Sequence, residues 1–503
     1  MLFNSPTYIF LFLPVVIILY YLLNKNRLVT VGKAWLVLAS LFFYGYWNPK
    51  YLFLIISSML VNFAVGTALH RSKQKQGAAH RLSLTRRNIL TGGIVFNLAL
   101  LGCFKYVDFV VTNLNVAFGT SIHALELALP LAISFFTFQQ IAYLVDCYKK
   151  DTKEYDFLNY CLFVSFFPQL IAGPIVHHRE IIPQFMRVRS NVFNWHNASL
   201  GIFIFCVGLF KKIAIADSFA IWANAGFDSS YPLSFFQAWG ASLSYTFQLY
   251  YDFSGYTDMA IGASLLFNIR LPINFNSPYK ARDIREFWQR WHITLSNFLR
   301  DYIYIPLGGN RAGRCRTYLN IFITFLLGGL WHGAAWSFVV WGALHGIALV
   351  THRLWNRAGL RMPAIAGWFC TFMFVNFAWV FFRATTFDGA LRVLKGMAGL
   401  SRSDTSTAFA DIVIYFKECA GIVLDGSMIE YATGMGTLAY IVVFGSAVFL
   451  LPNTMQISRF IPYKGSMAFK PKIIYAVLAG VILFYSLVSN IQNAPSQFLY
   501  FNF

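Results

Sequence analysis

From Thr317 to His352 the chain runs for 36 residues without an Asp, Glu, Lys or Arg, and two histidines, His332 and His345, stand inside that run. A single helix of this length would reach ~54 Å. That is too long for one upright membrane span and too short for two full ones with a turn. Gly328, Gly329 and Gly333 offer places to break it or to admit another backbone. His332 is therefore expected deep in an apolar setting, where a polar side chain costs free energy and usually serves a function. A buried neutral imidazole can act as a general base. Acyl transfer from a thioester to a hydroxyl needs one such base, a polarising group and a dry channel. A proton relay is another chemistry open to it. No metal site is expected, because no HExxH, cysteine pair or carboxylate lies near this histidine in sequence. His345 follows thirteen residues later. At ~100° per residue an unbroken helix would turn it well away from the His332 face, and a structural and a functional role stay equally open for it.

A second stretch, Asp283–Arg316, reads DIREFWQRWHITLSNFLRDYIYIPLGGNRAGRCR. Aromatic and aliphatic residues alternate there with Arg285, Glu286, Arg290, Arg300 and Asp301, as in a helix lying at a membrane interface. Pro306 to Arg311 is expected to form a turn. His292, between Trp288 and Trp291 on one side and an apolar run on the other, is the residue that an amphipathic anchor alone does not explain.

The elements that must hold these residues are set by composition. Five hundred and three residues would make about three soluble domains at ~150 each. Yet 57% of residues are apolar and only 12% charged, against the usual ~45–50% and ~25%. Lipid is the solvent for most of this chain, and one integral-membrane domain over 1–503 is expected. Apolar runs recur at 9–24, 34–47, 51–69, 88–104, 126–147, 157–174, 199–216, 232–251, 256–268, 318–350, 363–382, 410–424, 438–451 and 472–489. Several fall short of the ~20 residues an upright span needs, so the fold expected is an all-α polytopic bundle of about ten to thirteen embedded helices, some tilted or re-entrant. The first run lacks a basic start and is read as a retained span. The seven cysteines have no CxxC spacing and read as small hydrophobes.

The net charge of +20 is explained by Lys- and Arg-rich cytoplasmic loops, and no nucleic-acid partner is expected. Residues 70–87 hold six Lys/Arg and no acid, and 270–316 hold nine Lys/Arg against three acids. Both read as cytoplasmic. Residues 213–269 carry Asp217, Asp228, Asp252 and Asp258 with no Lys or Arg, so part of that stretch is expected outside. The count conflicts in one place: 353–361 and 383–402 both look cytoplasmic, with one good span, 363–382, between them.

The chain resembles the membrane-bound O-acyltransferase family, in particular its bacterial polysaccharide branch, typified by the alginate O-acetyltransferase membrane subunit. The likeness rests on Glu286–Arg311, on LLGGLWHGAAW at Leu326–Trp336 and on YYDFSGYTDMAIG at Tyr250–Gly262. FPQLIAGPIV at Phe167–Val176, WVFFRA at Trp379–Ala384 and the terminal FLYFNF at Phe498–Phe503 extend it along nearly the whole chain. The resemblance implies an acetyltransferase of the bacterial inner membrane, with a tunnel leading to the histidine of WHG, here His332. His292, in the RWH motif, matches the family's second characteristic polar position and would orient the donor or stabilise the oxyanion. It also implies a cytoplasmic thioester donor, acetyl-CoA or an acyl carrier, with no tightly bound cofactor. A periplasmic SGNH-hydrolase-like partner would pass the acetyl group to an exported polysaccharide such as alginate.

On this reading Arg285, Arg290, Arg300 and Arg311 form a cationic surface suited to donor phosphates. Trp291 and Trp331 would flank the tunnel. Asp252, Ser254 and Asp258 would line its outer side, or else only shape the DFSGYTD segment. A lipid or protein hydroxyl as acceptor stays open, as do a proton-coupled transporter using His332 and His345 and a scaffold for a secretion complex.

Overall fold

Lipid offers no hydrogen-bond partners, so a chain this apolar satisfies its backbone inside helices. In the computed structural model the described residues form helices, turns and extended links with no strand; they are all but 75–78, 150–155, 402–437, 463–466, 468, 493–495 and 500–503. The apolar run at 410–424, Cys419 and the last four residues of FLYFNF lie outside the described residues. In chain order the helices are α1 (Thr7–Lys25), α2 (Val29–Gly45), α3 (Lys50–Ser72) and α4 (Thr85–Phe118), then α5 (Ile133–Lys149), α6 (Phe157–Ser165) and α7 (His178–Met186). Next come α8 (Trp195–Phe227), α9 (Phe235–Leu265), α10 (Ile284–Arg290), α11 (Ile293–Leu299), α12 (Arg314–His332) and α13 (Trp336–Arg357). The last are α14 (Ala364–Arg383), α15 (Phe387–Met397), α16 (Leu438–Leu450) and α17 (Ile473–Gln492). Among them α1, α3, α4, α8 and α14 are long and apolar enough to cross a bilayer. The all-helical, polytopic class is the one the composition requires.

Boundaries differ from the sequence reading for identifiable reasons. The runs 232–251 and 256–268 are one 31-residue helix, α9, because no proline interrupts DFSGYTD and its polar side chains are buried inside protein. Conversely, 318–350 divides into α12 and α13, which part at Gly333. The runs 88–104 and 199–216 lengthen into α4 and α8, of 34 and 33 residues. Each contains a π-helical turn, at Gly102–Tyr106 and Lys211–Ala216. The single interfacial helix expected over Asp283–Arg316 is instead α10 and α11, broken at Trp291 and His292. The turn at Pro306–Arg311 forms as expected, with Gly308 and Gly309 at positive φ.

The chain divides into two compact units. The first comprises Met1–Gly208, Tyr256–Ile273 and Phe469–Phe503, the second Leu209–Gly255 and Asn274–Ala468. Within the first, buried amides replace the missing hydrophobic drive between helices in lipid: Asn62 and Asn97 exchange side-chain hydrogen bonds at 3.2 and 2.6 Å. Gln140 donates to Ser58 Oγ and accepts from the Tyr160 hydroxyl. The FPQLIAGPIV segment lies in this unit, where the Ala172 N–H donates to the Tyr256 hydroxyl at 3.3 Å.

Within the second unit two of the arginines behind the charge conflict have partners. The α14 helix, 20 residues long, separates residues 353–361 from 383–402. Arg383 bonds Asp228 at 3.0 Å and Asn224 at 2.9 Å, and Arg392 donates to the Phe227 carbonyl. These two arginines are anchored beside the acid-bearing stretch and do not act as free loop charges. Asp217 and Asp252 are likewise not loop charges, since both meet the buried Lys212, at 2.8 and 2.7 Å.

Candidate active site

The histidine-bearing run folds back on itself because its glycines let two backbones touch. A Cβ on Gly329 would meet the Phe338 carbonyl and the Gly342 backbone, and one on Gly346 would meet Phe322. These pairings make α12 and α13 an antiparallel hairpin. His332 closes α12, Gly333 follows in extended conformation, and α13 begins three residues later. The return brings His345 back towards His332, and both imidazoles pack on Trp341, at 4.7 and 5.1 Å between ring centroids. The expectation that His345 faces away held only for an unbroken helix, and the helix is broken.

His292 arrives by a different device. It has φ +42° and ψ +54°, a left-handed conformation that a β-carbon disfavours and that persists only where surroundings impose it. Residues 274–276 impose it. The Asn276 N–H donates to the Arg290 carbonyl at 2.9 Å, and the Ile293 N–H donates to the Asn274 carbonyl at 3.0 Å. Thr294 gives both its N–H and its hydroxyl to Asn274 Oδ1, at 3.2 and 2.7 Å. The result is a wholly buried imidazole against Phe253 (4.8 Å) and Trp331 (6.3 Å).

Trp331 also packs on His332 at 4.9 Å, so the three histidines are strung on two indoles, His292–Trp331–His332–Trp341–His345. The second face of the cage comes from α14, where Phe382 lies 5.1 Å from His332 and Trp379 stacks on Trp341 at 5.6 Å. Trp291 completes it against Trp379 at 5.0 Å. The Trp288 indole N–H donates to His345 Nδ1 at 3.2 Å, which places the imidazole proton on Nε2. Both His345 Nε2 and Trp341 Nε1 are buried and have no hydrogen-bond partner among the described residues.

The four arginines proposed for donor binding divide. Arg290 gives two hydrogen bonds to Glu286 Oε1 and one to the Asn276 carbonyl, and Arg300 is paired with Asp301 at 2.7 Å. Although burial works the other way, the Arg282 backbone N–H and the Arg290 guanidinium hold the Glu286 carboxyl below its ordinary range. Arg285 and Arg311 are exposed. Asp252 and Ser254 are buried in the second unit, Asp252 as part of the Lys212 ion cluster. Asp258, also buried, belongs to the first unit.

The structure brings His332, His292, Trp291 and Trp331, all singled out in the sequence, into one cluster with Phe253, Trp341, Trp379 and Phe382, which the sequence reading did not single out. Three of those four lie in the segments that carried the family likeness, YYDFSGYTDMAIG and WVFFRA. Lys212 was missed because it sits in a run whose average is apolar.

Residues 148–387, which include all three histidines and the cage around them, match the sequence profile of the membrane-bound O-acyltransferase family. A peptidoglycan O-acetyltransferase of Helicobacter pylori is 52% identical over 433 residues, covering 80% of each chain. The probable alginate O-acetylase AlgI of Pseudomonas aeruginosa is 40% identical over 403 residues, 79% of this chain and 75% of its own. A teichoic acid D-alanyltransferase of Streptococcus thermophilus is 29% identical over 240 residues, 45% of this chain and 57% of its own. With a shared profile over the cage and half-identical sequence over four-fifths of its length, this chain belongs to the membrane-bound O-acyltransferase family and is a multi-pass membrane acyltransferase.

Proposed function

We propose that this enzyme moves an acetyl group from a cytoplasmic thioester through the inner membrane for O-acetylation of an exported polysaccharide, with His332 as the base. The observation that carries this reading is the convergence of His332, His292 and His345 on one buried aromatic cage. Identity favours peptidoglycan over alginate as the polymer, 52% against 40%. Acetyl-CoA is the proposed donor, with a phosphopantetheine carrier as the alternative. A periplasmic SGNH-hydrolase-like transferase is the proposed partner. Arg285 and Arg311, which keep their guanidiniums clear of carboxylates among the described residues, are better placed to meet donor phosphates than Arg290 or Arg300.

In the proposed chemistry His332 takes the proton of the attacking hydroxyl as its oxygen bonds to the thioester carbonyl carbon. The tetrahedral intermediate collapses with loss of the C–S bond, and the thiolate recovers the proton from His332. The excluded solvent strengthens every dipole aimed at the oxyanion. Besides His292, one donor suits that role, Trp341 Nε1–H, buried without an acceptor on a ring that packs against His332.

The experiment is transfer of labelled acetyl from acetyl-CoA in inverted vesicles, alongside base-labile acetate on purified peptidoglycan from the same cells. His332→Ala is expected to lower transfer by about 100-fold or more while the protein stays in the membrane at normal level. Full transfer by that variant would remove His332 from the mechanism.

A further inference from the structure

Between α7 and α8 the chain reads MRVRSNVFNWHN (Met186–Asn197). Val188 is 79% exposed there and Trp195 81%, with Met186 and Val192 also exposed. Arg187 and Arg189 stand exposed among them, and among the described residues neither meets a carboxylate. The exposure does not come from a slack loop. The Ser190 hydroxyl donates to the Gln184 carbonyl at 2.6 Å. The Asn268 amide donates to the Val192 carbonyl at 2.8 Å and accepts from Asn197 Nδ2 at 2.9 Å. Gln184 exchanges hydrogen bonds with the Arg270 backbone at 3.0 and 2.8 Å. Contiguous apolar surface held out in this way marks an interaction site.

Two neighbours fix its level. The α1 helix ends at Lys25 and α8 begins at Trp195, and both are long and apolar enough to cross a bilayer. The segment touches both ends: the Tyr20 hydroxyl donates to Asn191 Oδ1 at 3.4 Å, and the Phe193 ring packs on Tyr21 (5.1 Å) and Trp195 (4.8 Å). It therefore sits where one span leaves the lipid and another enters, at headgroup depth. Its side follows from charge. Residues 25–33 and 186–197 together hold five Lys/Arg and no acid, the bias of a cytoplasmic face, and that leaflet carries anionic lipid. We infer that Met186–Asn197 is an anchor that binds the headgroup of an anionic phospholipid. Val188, Val192 and the Trp195 indole enter the boundary between headgroups and chains. Arg187 and Arg189 take the phosphate, which a guanidinium fork matches two oxygens at a time. A zwitterionic lipid brings the same phosphate together with its own cation, so net negative charge is what these arginines select. A partner protein would have to enter the headgroup layer to reach this face, which favours lipid.

The full-length protein is placed in nanodiscs of equal phosphatidylcholine and phosphatidylglycerol, with bromine on the acyl chains of one lipid or the other. Bromine quenches an indole only at close contact, and the emission that Trp195→Phe removes is the Trp195 signal. Brominated phosphatidylglycerol is expected to quench that signal more strongly than brominated phosphatidylcholine. Arg187→Gln with Arg189→Gln is expected to lower the relative affinity for phosphatidylglycerol about fivefold for each arginine lost. Added salt is expected to lower it in the unaltered protein. Arg187→Lys with Arg189→Lys keeps both charges and is expected to keep most of the preference, which separates lost charge from a misfolded loop. Equal quenching by the two lipids in the unaltered protein overturns the inference, and so does a preference that survives both glutamines. Quenching by neither lipid also overturns it and gives the face to a protein partner or to water.

Discussion

At the residue scale, what distinguishes the cage is that its histidines are packed against aromatic rings. Trp341 touches both His332 and His345 and brings a buried indole N–H. Trp341→Phe keeps the ring and deletes that donor, so kcat is expected to fall about 10- to 1,000-fold with protein level unchanged if it serves the oxyanion. A fall in melting temperature without a fall in kcat would assign it to packing. Lys212 is a different case, a charge in the body of α8 held by Asp217 and Asp252. Lys212→Met strands two carboxylates and is expected to cost about 3–5 kcal/mol of stability, whereas Lys212→Met with Asp252→Leu and Asp217→Asn recovers most of it. Melting in mild detergent across that series checks the coupling. The burial of His332 was legible from type and setting alone. The Lys212 cluster was not, because hydropathy averages over a window and its partner Asp252 is forty residues away.

At the scale of elements, one hairpin and one clamp build the site. The hairpin was half legible, since glycines announced a break without saying that the two halves would return face to face. Gly329→Ala is expected to force α12 and α13 apart and to cost about 1–3 kcal/mol, with transfer falling as His332 leaves Trp341. Gly92 is a matched control, because nothing lies within 4 Å of a Cβ placed there. Gly92→Ala should leave the melting temperature no lower. The clamp on His292 was not legible. No glycine or proline marks the break between α10 and α11, and its cause lies in Asn274 and Asn276. An amphipathic pattern reports which face is apolar but cannot see a distant segment that interrupts the helix.

At the scale of the whole molecule, counting loop charges gives conflicting sides where arginines have partners. Arg383 and Arg392 look like topology signals in sequence and are bound to Asp228 and the Phe227 carbonyl in the structure. In a protein freed of its seven cysteines, Leu360→Cys and Leu400→Cys are therefore expected to react with an impermeant maleimide from opposite sides of the membrane. Both side chains are exposed. Labelling of both from one side would make α14 re-entrant. The lengths of α4 and α8 carry a last consequence. At 34 and 33 residues each rises ~50 Å against a hydrocarbon layer of ~30 Å. Helices that overrun the bilayer must lean, bend at their π-helical turns or thicken the lipid around them. Turnover will therefore depend on acyl-chain length in the host membrane, and rates of variants are comparable only in lipid of one thickness.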